Sequence, residues 1–160
     1  MDGEKAALSL FLQAQREAVL AILDGLDGEA LTTAVLPSGW TPLGLVEHLG
    51  HAERHWFQEI LQGHADPLPW PPDDTPPLTT PREPEEVFAF YRSQCDRSTA
   101  ILAGTPLDTR PVGRHPDPLG AETTDLRRIV LHVIEETARH AGHLDAAREL
   151  LDGKTGLGPR

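Results

Sequence analysis

The chain has 160 residues, one cysteine, and 25 acidic against 14 basic residues, for a formal net charge of −11. That length fits a single domain spanning 1–160, able to bury roughly 70% of its unfolded surface in a core of its own. The lone Cys95 excludes an intramolecular disulfide and a cysteine-based zinc knuckle and fits a reducing compartment, while the acidic balance, with basic residues scattered apart from pairs such as Arg127–Arg128, argues against a nucleic-acid partner.

The N-terminus, MDGEKAALSLFLQAQREAVL, has no basic region ahead of an apolar one, so it is not read as a secretory signal. No apolar run is read as long enough to span a bilayer. The protein is expected to be soluble and cytoplasmic, with no membrane partner. The first helix is predicted from about Glu4 to Leu26, with Leu8, Phe11, Leu12, Ala18, Ile22 and Leu26 at helical spacing and Gly25 and Gly28 at its end. A turn follows at Pro37-Ser38-Gly39. Thr41 is then an N-cap with Pro42 at the first helical position, and the second helix is predicted from Pro42 to about Gly63.

From His64 to Pro84 the chain reads HADPLPWPPDDTPPLTTPREP, too proline-rich for helix or central strand and long enough to cross from one end of a bundle to the other. Thr80-Pro81-Arg82-Glu83 reads as a capping box. The third helix is predicted from Pro84 to Leu102, with Val87, Phe88, Tyr91, Cys95 and Ile101 inward; Cys95 is read as a small core residue. After a second Pro/Gly/Asp loop over 104–120, Thr123 or Thr124 is expected to cap the fourth helix, which runs to about Leu151 and stops at Asp152-Gly153. No internal repeat and no convincing strand appears. Four long helices imply an all-α four-helix bundle with at least one long crossover connection.

The fourth helix carries HVIEETARHAGH, His132 to His143. On a wheel of about 100° per residue, Leu126, Ile129, Val130, Val133, Leu144, Ala147 and Leu151 form one stripe. His140 falls inside it and Glu136 on its shoulder, one turn earlier. Glu135 and Arg139 point away, and His132 and His143 lie at or beyond the margin. An inward carboxylate needs a partner or a metal, and groups at i and i+4 can share one cation. A local Glu136–His140 hydrogen bond at the bundle edge is the alternative. A zinc site needs a third ligand, and the second helix offers EHLGHAERHWF, with His48, His51 and His55. The stripe of Leu45, Val46, Leu49, Ala52, Trp56 and Ile60 favours His48 or His55 and puts His51 nearly opposite. Periodicity does not choose between His48 and His55.

GWTPLGLVEHLGHAERHWF and, after a long gap, LRRIVLHVIEETARHAGHLDAARELLDG resemble the DinB/YfiT-like metalloenzyme superfamily, in particular its mini-circle-type actinobacterial branch. The resemblance covers essentially the whole chain. It implies an up-down-down-up bundle with the long crossover between helices two and three, often homodimeric. It also implies a metal triad of one histidine from helix two and two ligands four apart on helix four. Carried onto this chain these are His48, Glu136 and His140; a middle glutamate is the pattern of mycothiol-dependent maleylpyruvate isomerases, related through their N-terminal domain. The sequence ends with KTGLGPR after Gly153, without that enzyme's additional C-terminal domain, which points away from isomerase activity. His143 stands where many relatives carry a glutamine and is not made a ligand.

The implied function is a divalent-metal-dependent enzyme, a low-molecular-weight-thiol-dependent S-transferase or a related activity, with mycothiol or another small thiol as cosubstrate. Ligand type favours zinc or nickel, and three protein ligands leave a position open. No general acid or base is assigned. The alternatives are a bundle that binds a metal or small ligand without turnover, and a purely structural bundle.

Overall fold

The helix boundaries follow from which groups satisfy the free N–H and C=O groups at each end. In the computed structural model, which describes residues 3–73 and 75–156, α1 spans Gly3–Leu23 and α2 is a single turn, Gly28–Leu31, whose Ala30 N–H donates to the Asp27 side chain at 2.9 Å. Helix α3, Pro42–Arg54, opens as expected with Pro42 in its first turn and the Gly44 N–H donating to Thr41 Oγ1 at 3.1 Å. It then widens into a π-helical segment, His55–Gln62, closed by Gly63 in the left-handed conformation at φ 73°. Helix α4 spans Pro84–Gly104, α5 is a short turn at Leu119–Glu122, and α6 spans Leu126–Asp152, ending at Gly153 with φ 77°.

Two caps differ from the sequence expectation. The N-cap of α4 is Glu83, whose N–H donates to Glu86 Oε2 at 3.4 Å. The box therefore lies three residues beyond Thr80, whose hydroxyl instead accepts from the Arg82 N–H. Asp125, not Thr123 or Thr124, caps α6 by accepting from the Arg128 N–H at 3.0 Å. In both cases a carboxylate one residue before the helix wins over an earlier hydroxyl, because the N-terminal helix dipole favours the negative charge.

Contacts at the helix ends give the directions. Glu4 at the start of α1 pairs with Arg127 at the start of α6, and Arg148 near the end of α6 donates to the Ile22 and Asp24 carbonyls at the end of α1. These two helices therefore run parallel. Lys5 reaches the Thr105 carbonyl beyond the end of α4 at 2.7 Å, so α4 runs against α1. The α3 helix does too. Its start, Leu43 and Leu45, packs with Val19 and Ile22, and the π segment that follows packs with Leu12. The order is up-down-down-up, and the crossover over 63–83 returns the chain so that α4 can start beside the start of α3. It is pinned there by the Thr41 N–H, which donates to the Leu78 carbonyl at 3.0 Å. A Cβ on Gly44 would run into that same carbonyl. Gly44→Ala is therefore expected to destabilise the fold by about 1–3 kcal/mol, as overpacking does, read by urea denaturation.

The core falls into two apolar clusters, one around Leu43, Leu45, Leu49, Val87 and Leu144 and one around Trp56, Phe57, Ile101, Ile129 and Val130. A polar layer lies along the bundle with them. Arg16 Nε and Nη2 each donate to a Glu53 carboxylate oxygen at 2.7 Å, and Nη1 donates to Thr99 Oγ1 at 3.0 Å. Cys95 is buried beside this pair, as expected of a core residue; burial first, and then the Glu53 charge, push its thiol up to about 12. The buried face of α1 is turned from its predicted stripe and includes the arginine. Phe11, expected inward, is 61% exposed, while Leu12, Arg16, Val19, Ile22 and Leu23 form the buried face. By length and composition α1 would also suffice to cross a membrane, which corrects the reading that no stretch is long enough. Here its buried face, arginine included, packs into the bundle.

Candidate functional site

Two elements bring the predicted ligands together. His48 lies near the middle of α3, on the side that meets α6. Glu136 and His140 lie one turn apart on α6, between Val133 and Leu144, which are both buried. Glu136 Oε1 is 2.9 Å from His140 Nε2 and 3.3 Å from His48 Nε2, and the two rings meet edge to face with centroids 5.1 Å apart. One ligand atom from each of the three residues lies within 4.8 Å of the other two. All three side chains are half-buried. The local Glu136–His140 bond and the three-residue cluster are therefore both present, and the carboxylate is shared.

Electrostatics fits this geometry. The hydrogen bonds from His140 and then His48 hold the Glu136 carboxyl well below the ordinary carboxylate range, outweighing the opposing effect of burial. The group is anionic at neutral pH and accepts from both rings. On a tetrahedral zinc with bonds of about 2.0–2.2 Å, ligand atoms stand roughly 3.3–3.6 Å apart. The two measured separations are within a few tenths of an ångström of that. Two imidazole nitrogens and one carboxylate oxygen are a donor set suited to a borderline divalent ion with an open position. His143 Nδ1 lies 3.3 Å from His140 Nδ1, giving the second nitrogen of that ring a partner, the usual way a ligating ring is oriented.

The other histidines are distributed differently. His55, which periodicity left level with His48, is not in the cluster; its Nδ1 lies 2.8 Å from Glu59 Oε2 and its Nε2 3.0 Å from His115 Nδ1. His51, expected to point away from the core, is only 8% exposed, packs on Phe90 at 4.7 Å between centroids and lies 3.8 Å from Glu47. The wheel fails there because α3 has no solvent side at that level. It is covered by α6 on one side and by α4 with the crossover on the other. Trp70 of the crossover stands on Phe90, donates to Glu47 at 2.7 Å and is capped by the Arg82 guanidinium at 4.4 Å. Glu135 and Arg139 are exposed, as expected.

A cleft of about 340 Å3 opens beside the cluster, lined by His48 and Glu136 together with His55, Trp56, His115 and His132. His115 was beyond sequence reasoning, since one histidine in a Pro/Gly loop has no spacing to interpret. The structure shows why it is there. The carbonyls of Ile60 and Leu61, at the end of the π segment, accept from the Gly113 and Val112 N–H groups at 2.8 and 3.1 Å. A Cβ on Gly113 would lie 2.5 Å from the Glu59 carbonyl, so only glycine lets the loop come this close. His115 is thereby laid on Trp56, with centroids 4.9 Å apart and an interplanar angle of 27°.

With this geometry established, comparison with known proteins is informative. A family model described as mycothiol-S-transferase matches residues 7–153. A solved structure of a conserved protein of a locus from Enterococcus faecalis is 16% identical, covers 93% of this chain and 97% of its own, and superposes with a TM-score of 0.63. At that identity the likeness concerns the fold alone. No curated protein matches the chain.

Proposed function

The chain belongs to the mycothiol-S-transferase family, and from that premise we propose that it is a divalent-metal-dependent enzyme joining the sulfur of a low-molecular-weight thiol to an electrophile. In this reading His48, Glu136 and His140 hold zinc or nickel, and mycothiol or a similar small thiol is the cosubstrate. The observation that carries it is the convergence of two imidazole nitrogens on one carboxylate oxygen, from two helices, at the wall of a cleft.

A bound divalent ion would favour the deprotonated form of a thiol docked beside it, and the thiolate is the nucleophile. The chain's own residues do the rest. Glu136 stays anionic and keeps both Nε2 atoms turned toward its Oε1, so the donor set is arranged in advance. His143 restrains the His140 ring from its other nitrogen. Ala52, Trp56 and Pro72 line the cleft with apolar surface, where a charged nucleophile loses competing water. The homodimer expected of the family belongs to the same proposal and is read by light scattering.

The test is metal analysis of the purified protein, followed by thiol consumption with a panel of electrophiles and mycothiol, another small thiol or no thiol. The expected result is stoichiometric zinc or nickel, turnover only with a thiol, loss of turnover after chelation and recovery when the metal is returned. A protein that neither carries nor takes up a divalent ion overturns the site. A protein that holds the ion tightly and consumes no thiol is a binding bundle instead.

A further inference from the structure

The cleft that His48 and Glu136 line also carries a second chain of polar groups that the metal reading does not use. Glu59 accepts from the Arg54 guanidinium, and Arg54 in turn is tied to the Asp66 carbonyl at 2.6 Å. Glu59 Oε2 lies 2.8 Å from His55 Nδ1, and His55 Nε2 lies 3.0 Å from His115 Nδ1. Two of these residues, His55 and Glu59, belong to the π segment, a form that recurs at functional sites.

The bonding pattern orders the protons along this chain. Burial would raise the Glu59 carboxyl, but the His55 hydrogen bond and the Arg54 charge bring it below its ordinary value. A carboxylate can only accept, so the His55 proton sits on Nδ1. A neutral His55 then has only a lone pair at Nε2, and His115 must donate to it from Nδ1. That leaves the lone pair of His115 on Nε2, in a ring that lines the cleft.

We propose that Glu59, His55 and His115 form a proton relay in which His115 takes the proton from the thiol; this rests on the thiol-transfer reading above. In the step, the S–H bond breaks, its electron pair stays on sulfur, and a new N–H bond forms at His115 Nε2. The resulting imidazolium is stabilised through His55 by the Glu59 carboxylate. The proton leaves afterwards to the electrophile's leaving group or to water. His115 is the proton acceptor, and His55 and Glu59 are positioning residues. Burial, and then His55 and His132, draw His115 below the usual imidazole value, which keeps it neutral and able to accept near pH 7. The charged and titratable groups that line the cleft with it are His48, His51, Arg54, His55 and Glu59 from α3 and the π segment, and His132 and Glu136 from α6.

The experiment uses the zinc-loaded full chain. His115→Asn is expected to lower kcat by about 100-fold or more, the range of a lost general base. The KM for the thiol should stay within about 3-fold, bound zinc and melting temperature should be unchanged, and the acid limb of the kcat–pH profile should vanish. Glu59→Gln removes the charge that stabilises the imidazolium, so its acid limb should move to lower pH with a loss of about 10-fold. Ring nitrogen-15 shifts of the unmodified protein should show Nδ1 protonated and Nε2 bare in both His55 and His115. An active wild type whose His115→Asn variant keeps its rate and acid limb overturns the relay and leaves the transferase standing. His115 found with its proton on Nε2 overturns the relay even if the variant fails to fold. A wild type that consumes no thiol overturns the transferase reading, and the relay falls with it.

Discussion

Glu136→Ala is expected to weaken zinc or nickel binding by at least about 100-fold, because in the proposed site it removes a direct ligand, which should exceed the 10- to 100-fold losses typical of outer partners. Glu135→Ala, one residue away on an exposed face, should leave affinity within about 2-fold. The pair is a sharp test because the two substitutions remove the same charge from adjacent positions. A long-range effect of net charge would move both equally, while only Glu136 lies within 3.3 Å of both His48 and His140. Glu136→Gln separates shape from charge. It keeps an acceptor oxygen for the rings but loses the anion, and should fall between the two. Metal binding displaces protons from its ligands, so affinity in the wild type should fall as the pH is lowered. Isothermal titration with zinc reads all of this, and equal losses in Glu135→Ala and Glu136→Ala would contradict the assigned face.

What sequence periodicity could and could not reach follows from which helices have one wet side. On α6, which keeps solvent along Glu135, Arg139 and Gly142, the wheel placed Glu136 and His140 toward the core with Val133 and Leu144, and the structure agrees. On α3, buried nearly all round from Pro42 to Glu53, a single stripe does not exist. His51 and Glu53 were therefore invisible as interior residues, and His48 was chosen over His55 only by resemblance. The π segment adds a second reason, since a wheel of 100° per residue loses register once the turns widen at His55. The His55–His115 contact joins residues 60 positions apart through a loop held by backbone hydrogen bonds, which no local pattern encodes. The bundle itself was legible because its caps and breakers, Thr41-Pro42, Gly63, Pro84 and Gly153, act locally.

Glu53→Ala should destabilise the fold by about 3–5 kcal/mol. It would leave the Arg16 guanidinium, 3% exposed, with Thr99 as its remaining side-chain acceptor. For a domain of this size, where about 1 kcal/mol moves Tm by roughly 2–4 °C, that is a fall of about 6–20 °C. Arg16→Met should cost a comparable amount by stranding the carboxylate. The double replacement Arg16→Met/Glu53→Leu removes both charges and fills the space with apolar groups, so it should be less destabilised than either single variant. The sign of that coupling separates an ion pair that specifies how α1 and α3 meet from one that supplies net stability. Cys95 gives an independent local readout, because its Sγ lies 3.9 Å from Glu53 Oε1 and the carboxylate charge is one of the causes, after burial, of its raised thiol. In Glu53→Ala, under conditions where the protein stays folded, a thiol reagent should modify Cys95 faster than in the wild type. A Glu53→Ala variant within about 1 kcal/mol of wild type, with Cys95 equally slow to react, would mean that the Arg16–Glu53 pair does not hold this layer of the bundle together.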